Sequence, residues 1–131
     1  IKKDEDYLTH AINELKELGI RTSIFVDPEQ KMIDGALESG ADRIELYTKS
    51  FADLYPINPK KAIQRYIIAS DHANSIGIGI NAGHDLSLEN IEFFSKNIKN
   101  LKEVSIGHAL ICESLYFGFE NIIKKYLKKL V

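Results

Sequence analysis

The sequence predicts an α/β fold in which this chain supplies the last four units of a (β/α)8 barrel, or TIM barrel. One helix is followed by four strand–helix pairs, an alternation typical of a parallel sheet with right-handed crossovers. Each strand also carries polar residues on one face, which favours a barrel interior over a small open sheet. We expect a single domain over residues 1–131. Because the chain opens on Ile1 within a helical pattern, we expect the upstream half of the barrel to precede it.

The composition is that of an ordinary globular protein and excludes several classes of partner. Of the 131 residues, 44% are hydrophobic and 27% are charged, and the formal net charge is −2. The chain lacks the basic excess of nucleic-acid-binding proteins, and no apolar run is long enough to cross a membrane. Cys112 is the single cysteine, so neither a disulfide framework nor a cysteine-based metal motif is predicted. We therefore expect a cytoplasmic protein.

The first elements follow from hydrophobic periodicity. Apolar residues recur at three- and four-residue spacing over residues 5–18, which predicts a helix. Residues 21–26 are rich in β-forming side chains and predict the first strand. Asp27 and Pro28 fit the N-cap and first position of a helix that runs to about Ser39. We interpret Asp27 as a cap, with a ligand contact as the alternative.

The second predicted strand, residues 42–48, has an acidic residue at its centre. Ile44 and Leu46 share one face, while Arg43 and Glu45 share the other. A carboxylate in a strand is costly to bury unless it is paired or used. Two interpretations of Glu45 stay open: a structural ion pair with Arg43 or another cation, and a carboxylate directed into an active site.

A loop and a long helix are predicted next. Residues 49–57 are polar and aromatic and indicate a loop. Asn58 and Pro59 then begin a helix by the same combination of cap and proline, and Gly77 ends it. His72 lies in the middle of this helix and is expected to face solvent.

The third predicted strand, residues 78–83, ends on a glycine followed by a histidine. Gly83 permits backbone conformations that other residues resist and lets a ligand approach the main chain. His84 stands at the carboxyl end of the strand, where parallel α/β folds place their chemistry. Ser87 is expected to cap a helix over residues 88–97.

The fourth predicted strand, residues 101–106, is followed by Gly107 and His108 at the start of a final helical region. In a barrel, the loops after the last two strands and the start of a short helix often bind phosphate, because backbone N–H groups there can hold a dianion. We therefore expect a phosphate contact at this pair. The inward faces of the four strands would collect one polar residue each: Ser23, Glu45, Asn81 and Ser105.

Four segments together resemble the pyridoxine 5'-phosphate synthase family (PdxJ) over essentially the whole chain, as its C-terminal half. They are residues 25–28, 40–48, 81–84 and 106–111. The resemblance implies a (β/α)8 barrel that assembles as a homo-octamer. It also implies condensation of 1-deoxy-D-xylulose 5-phosphate with 3-amino-2-oxopropyl phosphate to pyridoxine 5'-phosphate, phosphate and water, without a metal or organic cofactor.

The resemblance also assigns roles to individual residues. His84 matches the proton donor of the family, and Glu45 matches a glutamate that stabilises the transition state. Gly107 and His108 match the pair that binds 3-amino-2-oxopropyl phosphate. Asp85 occupies a position that contacts the same substrate.

Three positions depart from the family pattern. Position 85 is often glycine but here is Asp85, position 47 is often histidine but here is Tyr47, and Lys49 stands where many relatives have glycine. A carboxylate near a phosphate must point away or bind a cation. The upstream half supplies the general bases of the family and most contacts to deoxyxylulose phosphate.

Two other functions stay open. One is a different phosphate-binding TIM-barrel enzyme, such as an epimerase or an aldolase, although no lysine lies at the centre of a predicted strand to form a Schiff base. The other is a non-catalytic half-barrel module that binds a phosphorylated ligand or a partner chain.

Overall fold

The computed structural model describes the backbone of residues 2–130 and the side chains of residues 6–130, so Ile1 lies outside the described residues. Within this range, no helix is long and apolar enough to cross a membrane. The elements in chain order are α1 (Lys2–Glu17), β1 (Ser23–Val26), α2 (Gln30–Glu38), β2 (Arg43–Tyr47), α3 (Lys49–Leu54), α4 (Pro59–Ile76), β3 (Gly79–Gly83), α5 (Ile91–Asn97), β4 (Leu101–Ser105), α6 (His108–Phe117) and α7 (Phe119–Lys129).

The four strands form one parallel sheet in the order β1-β2-β3-β4, which confirms the predicted α/β alternation. The alternation of faces in β2 is also confirmed, because Ile44 and Leu46 are fully buried against the helices while Glu45 lies on the opposite face. Glu45 is in register with Phe25, Asn81 and Glu103 across the sheet. Every parallel strand therefore delivers its carboxyl end to the same edge of the sheet.

One face of the sheet is spanned by ion pairs. Arg21, just before β1, donates to both carboxylate oxygens of Glu103 in β4 at 2.8 and 3.0 Å. Arg43 Nη1 lies 2.9 Å from the same carboxylate and donates to Asn81 Oδ1 at 3.2 Å. Burial opposes ionisation of Glu103, but Arg21 and then Arg43 hold the pKa of its carboxyl below the ordinary value. Three strand spacings separate β1 and β4, about 14 Å in a flat sheet, and the long side chains of Arg21 and Glu103 bridge these two edge strands.

Residues 49–57 are not simply a loop, and that prediction is wrong for the segment that forms α3. Phe51 is fully buried, with its ring centroid 5.0 Å from that of Phe94 and 6.0 Å from that of Tyr66. Lys49 also donates to Asp53 one turn later at 3.0 Å. Burial of one aromatic ring stabilises a helix of six residues, which is too short to produce a helical pattern in the sequence.

The predicted cap at Asp27 is wrong. Helix α2 begins at Gln30, so Glu29 rather than Asp27 occupies the N-cap position. The carbonyl of Asp27 accepts a hydrogen bond from the N–H of Glu29 at 2.7 Å, which turns the chain before the helix starts. Pro28 is buried in this turn and is not the first helical residue.

Helix α4 begins and ends as predicted. The Asn58 side chain accepts from the N–H of Lys61 at 3.0 Å, and Gly77 ends the helix with φ of +81°. The prediction that His72 faces solvent is wrong. Its Nε2 lies 2.6 Å from the carboxylate of Asp34 in α2, and only 22% of the side chain is exposed.

The last helices also differ from expectation. Helix α5 begins at Ile91, because Ser87 caps a preceding turn instead, accepting from the N–H of Glu89 at 3.3 Å. The final helical region is divided into α6 and α7 at Gly118, where φ is +80° and ψ is 141°. Glycine adopts this conformation at little cost, and it redirects the chain between the two helices.

Asp42 to asparagine is expected to lower the free energy of unfolding by about 1 kcal/mol, because the carboxylate holds the start of β2 to the chain before β1. It accepts from the N–H and Oγ1 of Thr22 at 2.8 and 3.0 Å, and Lys16 lies 3.6 Å away. Hydrogen bonds from Thr22 lower the pKa of the Asp42 carboxyl. The stabilisation is therefore complete above about pH 4 and is lost as the pH falls through the lowered pKa. Denaturant unfolding of both proteins at several pH values tests this, and a difference that persists at the lowest pH would contradict it.

Candidate active site

All five residues predicted for the site line one cleft at the carboxyl end of the sheet. The cleft has a volume of about 540 Å³ and is lined by Phe25, Glu45, His84, Asp85, Ser105, Ile106, Gly107 and His108. The residues come from all four strands or from the turns that follow them. Phe25 and Ile106 are additions that the sequence analysis placed in strands but not in the site.

Glu45 is held against the backbone of β3. A Cβ atom at Gly83 would overlap Glu45 Oε1 and would lie 2.9 Å from Ser105 Cβ. The absence of a side chain at Gly83 therefore gives the carboxylate room at the cleft. Arg43 pairs with Glu103 instead, and Glu45 forms no ion pair with any side chain of residues 6–130. The interpretation of Glu45 as an ion-pair partner of Arg43 is wrong.

His84 sits on a backbone turn of unusual conformation. The φ angles of His84 and Asp85 are +89° and +58°, in the left-handed region that residues other than glycine rarely adopt. The imidazole ring meets Tyr47 edge-on, with centroids 4.8 Å apart and an interplanar angle of 78°. Tyr47 in turn contacts Phe25 at 5.2 Å. Such strain is concentrated at functional sites, where the surrounding structure maintains it.

Two residues that depart from the family pattern, Lys49 and Asp85, lie next to each other. Lys49 Nζ lies 3.7 Å from the Asp85 carboxylate, and His84 Nδ1 lies 3.3 Å from the same oxygen. The hydrogen bond and the charge of Asp53 raise the pKa of the Lys49 ammonium, with smaller contributions from Asp85 and Tyr47. The carboxylate that would repel a phosphate is thus accompanied by a lysine cation.

The start of α6 forms one wall of the cleft. Gly107 immediately precedes the helix, and His108 is its first residue. The first N–H groups of a helix have no acceptor within the helix and carry a partial positive charge. His108 Nε2 lies 3.5 Å from Cys112 Sγ one turn later. The wall can therefore bind an anion through backbone groups without a lysine or arginine.

The described side chains do not suggest a metal centre. In residues 6–130, no group of three or more histidine, cysteine, aspartate or glutamate side chains has the arrangement to hold a metal ion. The chemistry available in the cleft is that of two carboxylates, two imidazoles, the Ser105 hydroxyl and a helix N-terminus. Such groups can transfer protons and stabilise developing charge.

Comparison with known proteins shows the family of the chain. The family described as pyridoxal phosphate biosynthesis protein PdxJ matches residues 1–131. The chain belongs to the PdxJ family. It is 57% identical over 128 residues to the pyridoxine 5'-phosphate synthase of Flavobacterium johnsoniae, covering 98% of this chain and 54% of that relative. The corresponding values are 56%, 98% and 54% for the enzyme of the same name from Christiangramia forsetii, and 52%, 96% and 53% for that from Cytophaga hutchinsonii.

The PdxJ-family chain spans about half the length of the curated relatives it matches. Sequence reasoning located the residues that follow strands, but it missed the polar residues that hold them. Thr48 and Asn90 are both buried and hydrogen-bond to the turn that carries His84 and Asp85. The available signal for Thr48 was a hydroxyl side chain at the carboxyl end of the second predicted strand.

Proposed function

We propose that the full-length protein is a pyridoxine 5'-phosphate synthase that condenses 1-deoxy-D-xylulose 5-phosphate with 3-amino-2-oxopropyl phosphate. Membership of the PdxJ family and the names of its relatives support this activity. The observation that carries the proposal is the convergence of Glu45, His84, Asp85, Gly107 and His108 on one cleft. By the same family resemblance, the protein would be a cytoplasmic homo-octamer that needs no cofactor.

We further propose that the sheet is half of a (β/α)8 barrel. The ion pair between Arg21 and Glu103 bridges the two edge strands across one face of the sheet, as the curvature of a barrel wall would allow. Both edge strands, β1 and β4, keep one side free for pairing within residues 2–130. Four more strands would close the barrel, and the cleft would then lie at its carboxyl face, where such barrels place their active sites.

The chemistry assigns different roles to the residues of the cleft. Elimination of water and phosphate needs an acid that protonates a leaving oxygen, and the half-exposed imidazole of His84 can donate that proton. The condensation passes through carbinolamine and imine species, and the Glu45 carboxylate would stabilise the positive charge that develops as the carbinolamine loses water to form the protonated imine. The phosphate of 3-amino-2-oxopropyl phosphate would bind at Gly107 and His108, with the backbone N–H of Asp85 as a further donor.

The decisive experiment mixes the full-length protein with deoxyxylulose phosphate and freshly generated aminooxopropyl phosphate. Absorbance and fluorescence of pyridoxine 5'-phosphate report the product. Product formation at a rate proportional to enzyme concentration is the expected result. A folded protein that binds inorganic phosphate but forms no product would contradict the proposal and would favour another phosphate-binding barrel enzyme or a non-catalytic module.

Glu45 to glutamine is expected to lower kcat about tenfold, because the amide keeps the shape of the side chain and loses its charge. The KM for either substrate should change much less, since the charge is needed in the transition state. Steady-state kinetics of the full-length variant measure both constants. Glu17 to glutamine, an exposed position at the end of α1, is the matched control. A rise in KM with unchanged kcat would show that Glu45 binds substrate instead.

A further inference from the structure

We infer that Thr48 is a positioning residue whose buried hydroxyl fixes the backbone of His84 and thereby places the imidazole at the cleft. Thr48 follows β2 directly and has no exposed surface. Its importance for turnover rests on the proposed function, whereas its effect on the turn can be measured without any activity. Thr48 does not line the cleft, so it acts on the site through the backbone that it holds.

The hydrogen bonds of Thr48 join the end of β2 to the end of β3. Its Oγ1 lies 2.6 Å from the carbonyl oxygen of Gly83 and 2.5 Å from that of His84. Its backbone N–H already donates to the Gly83 carbonyl at 2.9 Å. A hydroxyl has one proton to donate. The Gly83 carbonyl already accepts from the backbone N–H of Thr48. The hydroxyl proton of Thr48 is therefore the one that the His84 carbonyl needs.

A second buried side chain holds the same turn. Asn90, which is 5% exposed, donates through Nδ2 to the carbonyl of Asp85 at 3.2 Å. Its Oδ1 accepts from the N–H of Ser87 at 2.9 Å. Leu86 between them is buried in the core. The turn with two positive φ angles is therefore held by hydrogen bonds at His84, Asp85 and Ser87, and Thr48 holds the residue that carries the imidazole.

Thr48 is itself held in place by Tyr66 of α4. The hydroxyl of Tyr66 donates to the carbonyl of Tyr47 at 2.8 Å, and it lies 2.7 Å from Ser50 Oγ. It also accepts from the N–H of Phe51 at 3.3 Å. Burial raises the pKa of this hydroxyl, so it stays protonated as a donor. The backbone on both sides of Thr48 is thus anchored to the core, which gives the threonine a defined position from which to hold the neighbouring turn.

The test replaces Thr48 by valine, which keeps the shape and removes the hydroxyl, and by serine, which restores it. Crystal structures of the full-length variants report the φ angle of His84 and the position of its imidazole. In the valine variant, φ is expected to leave the wild-type value of +89° and the imidazole to move. We also expect kcat to fall about tenfold, because catalysis is sensitive to small misplacements. Serine is expected to restore the wild-type turn and most of the turnover.

Ser70 to alanine is the matched control, since it removes a hydroxyl that is also buried but bonds within α4, to the carbonyl of Ile67. It should leave the His84 turn unchanged. If the valine variant does not fold, Thr48 to alanine provides a second protein without the hydroxyl. An unchanged His84 turn in the variant without the hydroxyl would overturn the inference. A wild-type protein without synthase activity would contradict the proposed function alone, because the structures still report the turn.

Discussion

Replacement of His84 by asparagine is expected to lower the kcat of the full-length protein by about 10²–10⁴-fold, the usual contribution of a general acid. His108, at the start of α6, is the one other histidine among the described residues that line the cleft. Asparagine is chosen because it tolerates the positive φ of this position better than alanine does. The measurement is the steady-state rate of pyridoxine 5'-phosphate formation across a range of pH.

The pH dependence distinguishes a proton donor from a group that only binds. Loss of a general acid removes the decrease in rate toward high pH that its deprotonation causes. His10 to asparagine is the matched control, because His10 is an exposed histidine of α1 with 74% of its side chain accessible. Turnover close to that of the wild type, or an unchanged pH profile with a raised KM, would show that His84 is not the proton donor.

Much of the fold could be predicted because it depends on residues close in sequence. The alternation of Ile44 and Leu46 with Glu45 determines which face of β2 is buried, and the structure agrees. The failures depend on tertiary contacts. Helix α3 is stabilised because Phe51 packs against Phe94, which is distant in sequence. No local sequence pattern indicates that contact.

Some features of the candidate site could also be predicted from the sequence, and others could not. His84 and Gly107 could be located because they follow strands, and parallel strands present their carboxyl ends together. The register of the sheet could not be predicted. The alternation of faces shows which side of the sheet a residue faces, but not which residue of the neighbouring strand lies beside it. In the structure, Glu45 lies in register with Asn81 and Glu103. Ser105 lies two residues further along β4, nearer the cleft.

Gly83 to alanine is expected to lower kcat/KM by about 10²-fold or more and to destabilise the protein by about 1–3 kcal/mol. The added Cβ would overlap Glu45 Oε1 and crowd Ser105, so the carboxylate must leave its position at the cleft. Gly35 to alanine is the matched control. Gly35 lies within α2, where an added Cβ meets no described atom within 4 Å, so alanine there should raise stability by about 0.5–1 kcal/mol. Steady-state kinetics and denaturant unfolding measure the two effects.

A double-mutant cycle then shows whether the effect of Gly83 to alanine passes through Glu45. If the methyl group acts by displacing the carboxylate, the loss from Gly83 to alanine already includes the loss from Glu45 to glutamine. The double variant should therefore be no slower than the Gly83 variant, because residues in contact are not additive. If instead the two decreases in kcat/KM multiply in the double variant, Gly83 affects catalysis independently of Glu45. The position of the carboxylate would then not depend on the absence of a side chain at Gly83.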